Sequence, residues 1–175
     1  RDDGTVTVID VQSLEKVKEL KTGEVPISLA FSPLGKALYV ADGKTGTITV
    51  VDADKLEIRT RIEAKPGLGP MRFSQDGRWG LVVNPIENLV FAIDASKDQL
   101  AHSIAVGKQP YQVNFTRGYG YVRSLGTQDV VLELGERRRM LALGTDVLVH
   151  PGQVCFALRE ARQEVLARHA GVADT

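Results

Sequence analysis

The stretch Pro26 to Asp52, PISLAFSPLGKALYVADGKTGTITVVD, decides the fold because its pattern returns at a fixed distance. Phe31, Phe73 and Phe115 are spaced 42 residues apart, and so are Asp10, Asp52 and Asp94, which close the runs GTVTVID, GTITVVD and NLVFAID. Ser32 and Gly35 recur as Ser74 and Gly77, and YVAD (39–42) recurs as LVVN (81–84). One period held by several positions at once is the mark of an array of supersecondary units.

Within one unit the turn signals divide the chain into four short strands. ISLAF (27–31) runs to a turn at Ser32-Pro33-Leu34-Gly35, where proline suits an early turn position and glycine supplies a positive φ. ALYVAD follows, then a turn at Asp42 to Gly46, then Thr47 to Val51 with the period-two alternation of a pleated strand. EIRTRIEA (57–64) carries charge on one face, as a strand near a sheet edge does. The second unit repeats the plan with MRF, WGLVVN, NLVFAID and QLAHSIAV. The third opens at Pro110 with YQVNF, has a turn two residues shorter, and decays: DVVLEL (129–134) places Glu133 where the other units are apolar and loses the closing aspartate.

Past residue 134 the composition changes. Every lysine lies at or before Lys108, and Arg137, Arg138, Arg139, Arg159, Arg162 and Arg168 carry the later positive charge. LREARQEVLARH (158–169) has the spacing of a short helix, which the repeat has no place for. The expected organisation is therefore all-β: a partial β-propeller of about three four-stranded blades over 1–134, an incomplete ring, and a divergent C-terminal segment over 135–175 that includes a short helix or is foreign to the array.

The repeated residues Pro26, FSPLG, LYVAD and GTITVVD resemble the YVTN family of β-propeller repeats, which is related to surface-layer, lactonase-type and nitrite-reductase haem propellers. LYVAD stands where the motif of the family name stands, with Ala-Asp in place of Thr-Asn. The resemblance implies blades of four strands around a channel. It also implies export to the periplasm or cell exterior, and a binding scaffold more than any one reaction. The repeated Phe and Asp residues read as core and turn chemistry.

Composition narrows the partners. Lys plus Arg equals Asp plus Glu at 22 each, so no net field draws the chain to nucleic acid. No apolar run approaches the ~20 residues of a membrane-spanning helix. Cys155, in the apolar run VCFAL, is the single cysteine and reads as a small buried hydrophobe. His102, His150 and His169 form no metal-ligand spacing with one another or with carboxylates, and no nucleophile-elbow or phosphate-loop pattern occurs. No cofactor, metal or catalytic residue is assigned.

In the propellers this chain resembles, the loops at one end of the channel meet ligands. On that basis Asp42, Asn84, Arg123 and Ser124 are the candidate partner-binding residues, with backbone-capping turn chemistry the alternative for Asp42 and Asn84. Arg72 is expected to pair with a carboxylate between blades. Two whole blades flanked by parts of two others leave sheet faces open, which points to self-association or a protein partner. The leading functional expectation is a non-catalytic scaffold or binding module, as a piece of a longer propeller. The alternative is a lactonase-like or haem-dependent propeller enzyme whose site lies mostly in other blades.

Overall fold

In the computed structural model, residues 3–116, 119–126 and 132–133 are described, all within one compact unit spanning 1–143. Every described element is a strand. The expected helix at 158–169, the boundary near residue 134, Cys155, His150 and His169 lie outside the described residues.

β1 (Thr5–Ile9) and β2 (Lys16–Lys21) form a two-stranded sheet. β3 (Pro26–Ser32), β4 (Ala37–Asp42), β5 (Thr47–Asp52) and β6 (Glu57–Glu63) form the first whole blade in sequential antiparallel order. β7 (Met71–Phe73), β8 (Trp79–Asn84), β9 (Leu89–Asp94) and β10 (Gln99–Ala105) form the second. β11 (Pro110–Thr116), β12 (Tyr119–Ser124) and the short β13 (Leu132–Glu133) begin a third. These sheets make a partial β-propeller.

The aspartates 42 residues apart close the turn from third to fourth strand. Asp10 Oδ1 accepts from the Gln12 and Ser13 amides at 2.8 Å, Asp52 Oδ1 from Asp54 and Lys55 at 3.1 and 3.0 Å, and Asp94 Oδ1 from Ser96 at 3.0 Å. Such a turn brings its fourth following residue to positive φ: Leu14, Leu56 and Asp98 sit at 60°, 54° and 49°. The short carboxylate is used because it substitutes for the backbone acceptor at a tight bend.

Burial alternates as the strands require. β4, β5, β8 and β9 are almost wholly buried, β6 exposes alternate residues, and β10 is mostly exposed, with Leu100 and Ile104 turned inward. The core lies between blades. Tyr39, Ile48 and Val50 of the first blade meet Met71, Val82, Phe91 and Ile93 of the second. Leu81, Val83, Val90 and Ala92 meet Val113 and Val122, with Phe115 packed alongside. The Phe73 ring lies 4.7 Å from that of Tyr39 and directly over Gly80, where an added Cβ would stand 2.7 Å from ring carbons. Glycine at 80 is thus the seat of the aromatic ring that bridges the blades.

Three expectations are corrected. Phe31 is not core: it is 52% exposed, with Ile27 and Leu29 beside it. The repeated Phe packs on the inner strands of the preceding sheet, and ahead of β3 the described sheet holds only β1 and β2. The positive φ expected at Gly35 falls on Lys36 (45°), whereas in the second unit it is on Gly77 (72°). Arg72 is exposed and makes no ion pair among the described residues.

These positions give a contrast between residues of one repeat. Phe73→Ala is expected to cost about 3–5 kcal/mol, the range for a core Phe, whereas Phe31→Ala should cost under ~1 kcal/mol. Paired denaturant melts measure both, and equal midpoint shifts would contradict the packing described.

Candidate functional loop face

Two sets of loops share one end of the blades: those entering each first strand, and those joining second to third strands. Their backbones interlock. Gly43 N–H donates to Val25 carbonyl at 3.0 Å, Gly67 to Gly43 at 2.8 Å and Ala64 to Gly46 at 3.0 Å. Gly46, at φ 76°, is held so close to Lys65 and Pro66 that a Cβ would lie 2.3–2.6 Å from their main chain.

Asp42, Asn84 and Ser124 occupy one equivalent position, the last residue of β4, β8 and β12. Asp42 is 1% exposed, and both oxygens are used: Oδ1 accepts from Lys44 and Thr45 at 2.9 and 2.7 Å, Oδ2 from Glu24 and Val25 at 2.6 Å. Gly23 leaves room for this approach, since a Cβ there would lie 2.2 Å from Oδ2. Asn84, fully buried, repeats the turn bond through Oδ1 to Ile86 and Glu87 at 3.1 and 3.0 Å. Its Nδ2 instead donates to the Lys65 and Pro66 carbonyls at 3.3 and 2.9 Å. The acid or amide is chosen by what the entering loop offers: amides in the first blade, carbonyls in the second. Ser124 is too short for either role, and its hydroxyl is buried with no partner among the described residues.

Arg123 alone of the four candidates is exposed, its guanidinium 5.3 Å from the centre of the Tyr111 ring. Neighbouring charges on this end are paired: Lys44 with Glu24, and Lys65 with Glu87 at 3.0 Å. Arg123 and exposed Lys108 make no such pair among the described residues. The third unit's loops therefore present two cations and an aromatic ring.

Two further clusters were not legible as sequence motifs. Arg59 on β6 donates to Asp52 Oδ2, Asp98 Oδ2 and the Gly35 carbonyl, each at 3.1 Å, and Asp98 also accepts from the buried Tyr39 hydroxyl. Burial, then Asp98, pushes the Tyr39 phenol well above its usual range. These groups latch two blades together, and Arg59 and Asp98 border an open groove of about 580 Å³ between β6 and the start of β10, which Arg61, Glu63 and Lys97 also line. On the outer rim Trp79 lies 5.6 Å from the Arg78 guanidinium and 6.2 Å from His102, which is exposed on β10. Among the described residues no three His, Cys, Asp or Glu side chains converge as metal ligands.

Burial pushes the Asp42 carboxyl up, but hydrogen bonds from Thr45, Val25 and Glu24 outweigh it and hold the group below its ordinary value. A depressed folded pKa contributes stability that is present above the unfolded value and lost as pH falls through the folded one. Stability should thus drop as pH is lowered from about 5, and Asp42→Asn should flatten that slope. At neutral pH Asp42→Asn sets an amide against the Glu24 and Val25 amides, and Asn84→Asp sets a carboxylate oxygen against two carbonyls. Each is expected to cost about 1–3 kcal/mol or more, the cost of an unsatisfied buried polar group. Denaturant midpoints across pH check both, and a neutral swap at either site would refute the assignment of partners.

No curated protein gives a significant sequence match. Among solved structures, dihydro-heme d1 dehydrogenase NirN in complex with DHE is similar with a TM-score of 0.70 at 21% identity, over 81% of this chain and 32% of that one. Kuenenia stuttgartiensis hydrazine synthase is similar with a TM-score of 0.66 at 19% identity, over 74% of this chain and 40% of that one. The chain thus spans well under half the length of either, and identities this low show the fold alone. The family model described as the cytochrome D1 heme domain matches residues 1–146, and by that match the chain belongs to the cytochrome D1 heme domain family.

Proposed function

We propose that this chain is a non-catalytic propeller segment that binds a partner through its loop face, with Arg123, Lys108 and Tyr111 as the contacting groups. The observation that carries the reading is the contrast at one end of the blades. Asp42 and Asn84 are consumed in holding the loops, whereas Arg123 projects over Tyr111 without a carboxylate among the described residues. A cation on an aromatic ring is a surface for acidic groups of a protein or small-molecule partner. The Ser124 hydroxyl, buried and unpartnered, is proposed as an adjoining polar contact. The YVTN resemblance supports a location in the periplasm or outside the cell.

The family match supports a second reading, a haem-dependent propeller enzyme with its site mostly in further blades; the lactonase-like form has no comparable support. Among the described residues the loop face offers no imidazole to iron. His102 is the histidine among them, and it sits on the outermost strand of its blade beside Trp79, away from the loop face. What the loop face could offer a tetrapyrrole is charge for its carboxylates, from Lys108 and Arg123.

Titration of the purified chain with ferric haem, followed at the Soret band, separates the two. The expected result is no saturable one-to-one shift; a saturable shift lost in Arg123→Ala and Lys108→Ala would overturn the non-catalytic reading. Arg123→Ala should change folding stability by less than about 1 kcal/mol, as exposed substitutions do, in contrast to the Asp42 and Asn84 swaps.

A further inference from the structure

We propose that the groove between β6 and β10 takes up an extended segment of another protein, alternating apolar and acidic residues, which adds as a strand to the outer edge of β6. This goes beyond the loop-face reading and does not depend on it.

The lining shows which part of β6 the groove exposes. The five consecutive residues from Arg59 to Glu63 all border it, facing Lys97 to Leu100 of the next blade. Successive side chains of a strand point to opposite faces, so a space that touches five in a row lies against the edge of the strand. β6 is the last strand of its sheet, with β5 along its other edge. The amides and carbonyls that β5 does not take are therefore turned toward the groove. A row of such groups is what strand addition uses, main-chain bonds giving affinity and alternate side chains giving specificity. Pairing with β5 passes from Val50–Thr60 to Val51–Ile58, which leaves Arg59 as a bulge residue, its guanidinium bonded to Asp52 and Asp98. The regular edge open to a partner is thus Thr60–Glu63.

The side chains at the groove set the chemistry of that partner. Ile62, 6% exposed, and half-buried Leu100 belong to the core between the blades and give the groove an apolar lining. Arg59 and Asp98 are spent on each other. Arg61 has a hydrogen bond of 3.4 Å to the Lys21 carbonyl and no ion pair among the described residues, and the exposed Lys97 ammonium stands 3.9 Å from Asp94. Glu63, which accepts from the Thr47 hydroxyl at 3.4 Å, is the remaining carboxylate of the lining. Two available cations against one carboxylate favour acidic groups. Since an added strand also alternates its faces, acids on one side can meet Arg61 and Lys97 while apolar residues on the other cover Ile62 and Leu100.

A second copy of this chain is the wrong occupant. Antiparallel pairing of two β6 strands about Thr60 would set Glu57 against Glu63 and Arg59 against Arg61, and like charges directly opposite destabilise a strand pair. The charges that protect this edge from its own kind leave it open to a segment of complementary pattern.

The test uses the full chain and a dye-labelled, end-blocked heptapeptide alternating valine and glutamate, with a valine and lysine peptide of equal length as control. Fluorescence anisotropy should show saturable one-to-one binding of the first and none of the second. Arg61→Glu and Lys97→Glu should each weaken binding by about fivefold, the scale an exposed ion pair reaches. Where a reversal also lowers the melting midpoint, Arg61→Gln or Lys97→Gln takes its place and should weaken binding in the same direction. Bound peptide should slow amide hydrogen exchange within Thr60–Glu63, which contact with the carboxylates alone would not do. Absence of saturable binding, equal binding of the lysine peptide, affinity indifferent to both substitutions, or binding that leaves exchange at 60–63 unaltered would each overturn the proposal.

Discussion

Each blade of this chain is a twisted sheet with two apolar faces, and neither can be buried except against another blade. The Phe73 ring expresses that constraint in one residue: it leaves its own sheet, covers Gly80 and comes to rest on Tyr39 of the sheet before it. Stability in such an array is a sum over interfaces more than over blades. The same residue type at Phe31 contributes little where the described neighbour is two strands instead of four. Identical sequence positions thus have different energies, and position in the stack decides which.

The polar residues obey a second constraint, that buried backbone groups in the loops must be paired. Asp42 and Asn84 meet it with opposite chemistry at one address. The first-blade loop turns amides inward and takes a carboxylate. The second carries Pro66, which has no amide hydrogen to donate, and its carbonyls take a carboxamide. The rest of each side chain does the same work in both, accepting from two amides of its own turn. A substitution that looks conservative by size reverses a hydrogen-bond donor.

Much of the fold was legible because repetition amplifies weak local signals. A single GTITVVD could be one strand in many folds, but with copies at 42-residue spacing it fixes strand order and turn positions. Exposure was less legible: the periodic Phe predicts which face it occupies, and only the number of strands in the preceding sheet predicts whether that face is covered. At the loop face, the sequence marked Asp42 and Asn84 as short polar residues without showing in which sense they act. Asp and Asn are polar enough to bind a partner and short enough to cap a turn, and the choice depends on whether a second loop comes within 3 Å. The Arg59, Asp98 and Tyr39 latch left no motif, since its members come from three turns and strands of two blades and stand at positions where the repeat varies.

That variation bears on function. Asp98 stands where the other units have Leu14 and Leu56, Arg123 where they have Ala41 and Val83, and Ser124 where they have Asp42 and Asn84. At Asp98 the departure has an internal explanation, because its carboxylate is held by Arg59 and the Tyr39 hydroxyl. At Arg123 no described partner takes up the charge, although the position is apolar in both whole blades and lies on the face that a following sheet covers. A guanidinium placed there is a poor blade-packing group unless it reaches the loop end, which its stacking on Tyr111 achieves. The aromatic ring holds the cation beside Tyr111 at the start of β11. The third unit thus departs from the two whole blades at the loop end of β12, where a cation over an aromatic ring replaces an apolar residue.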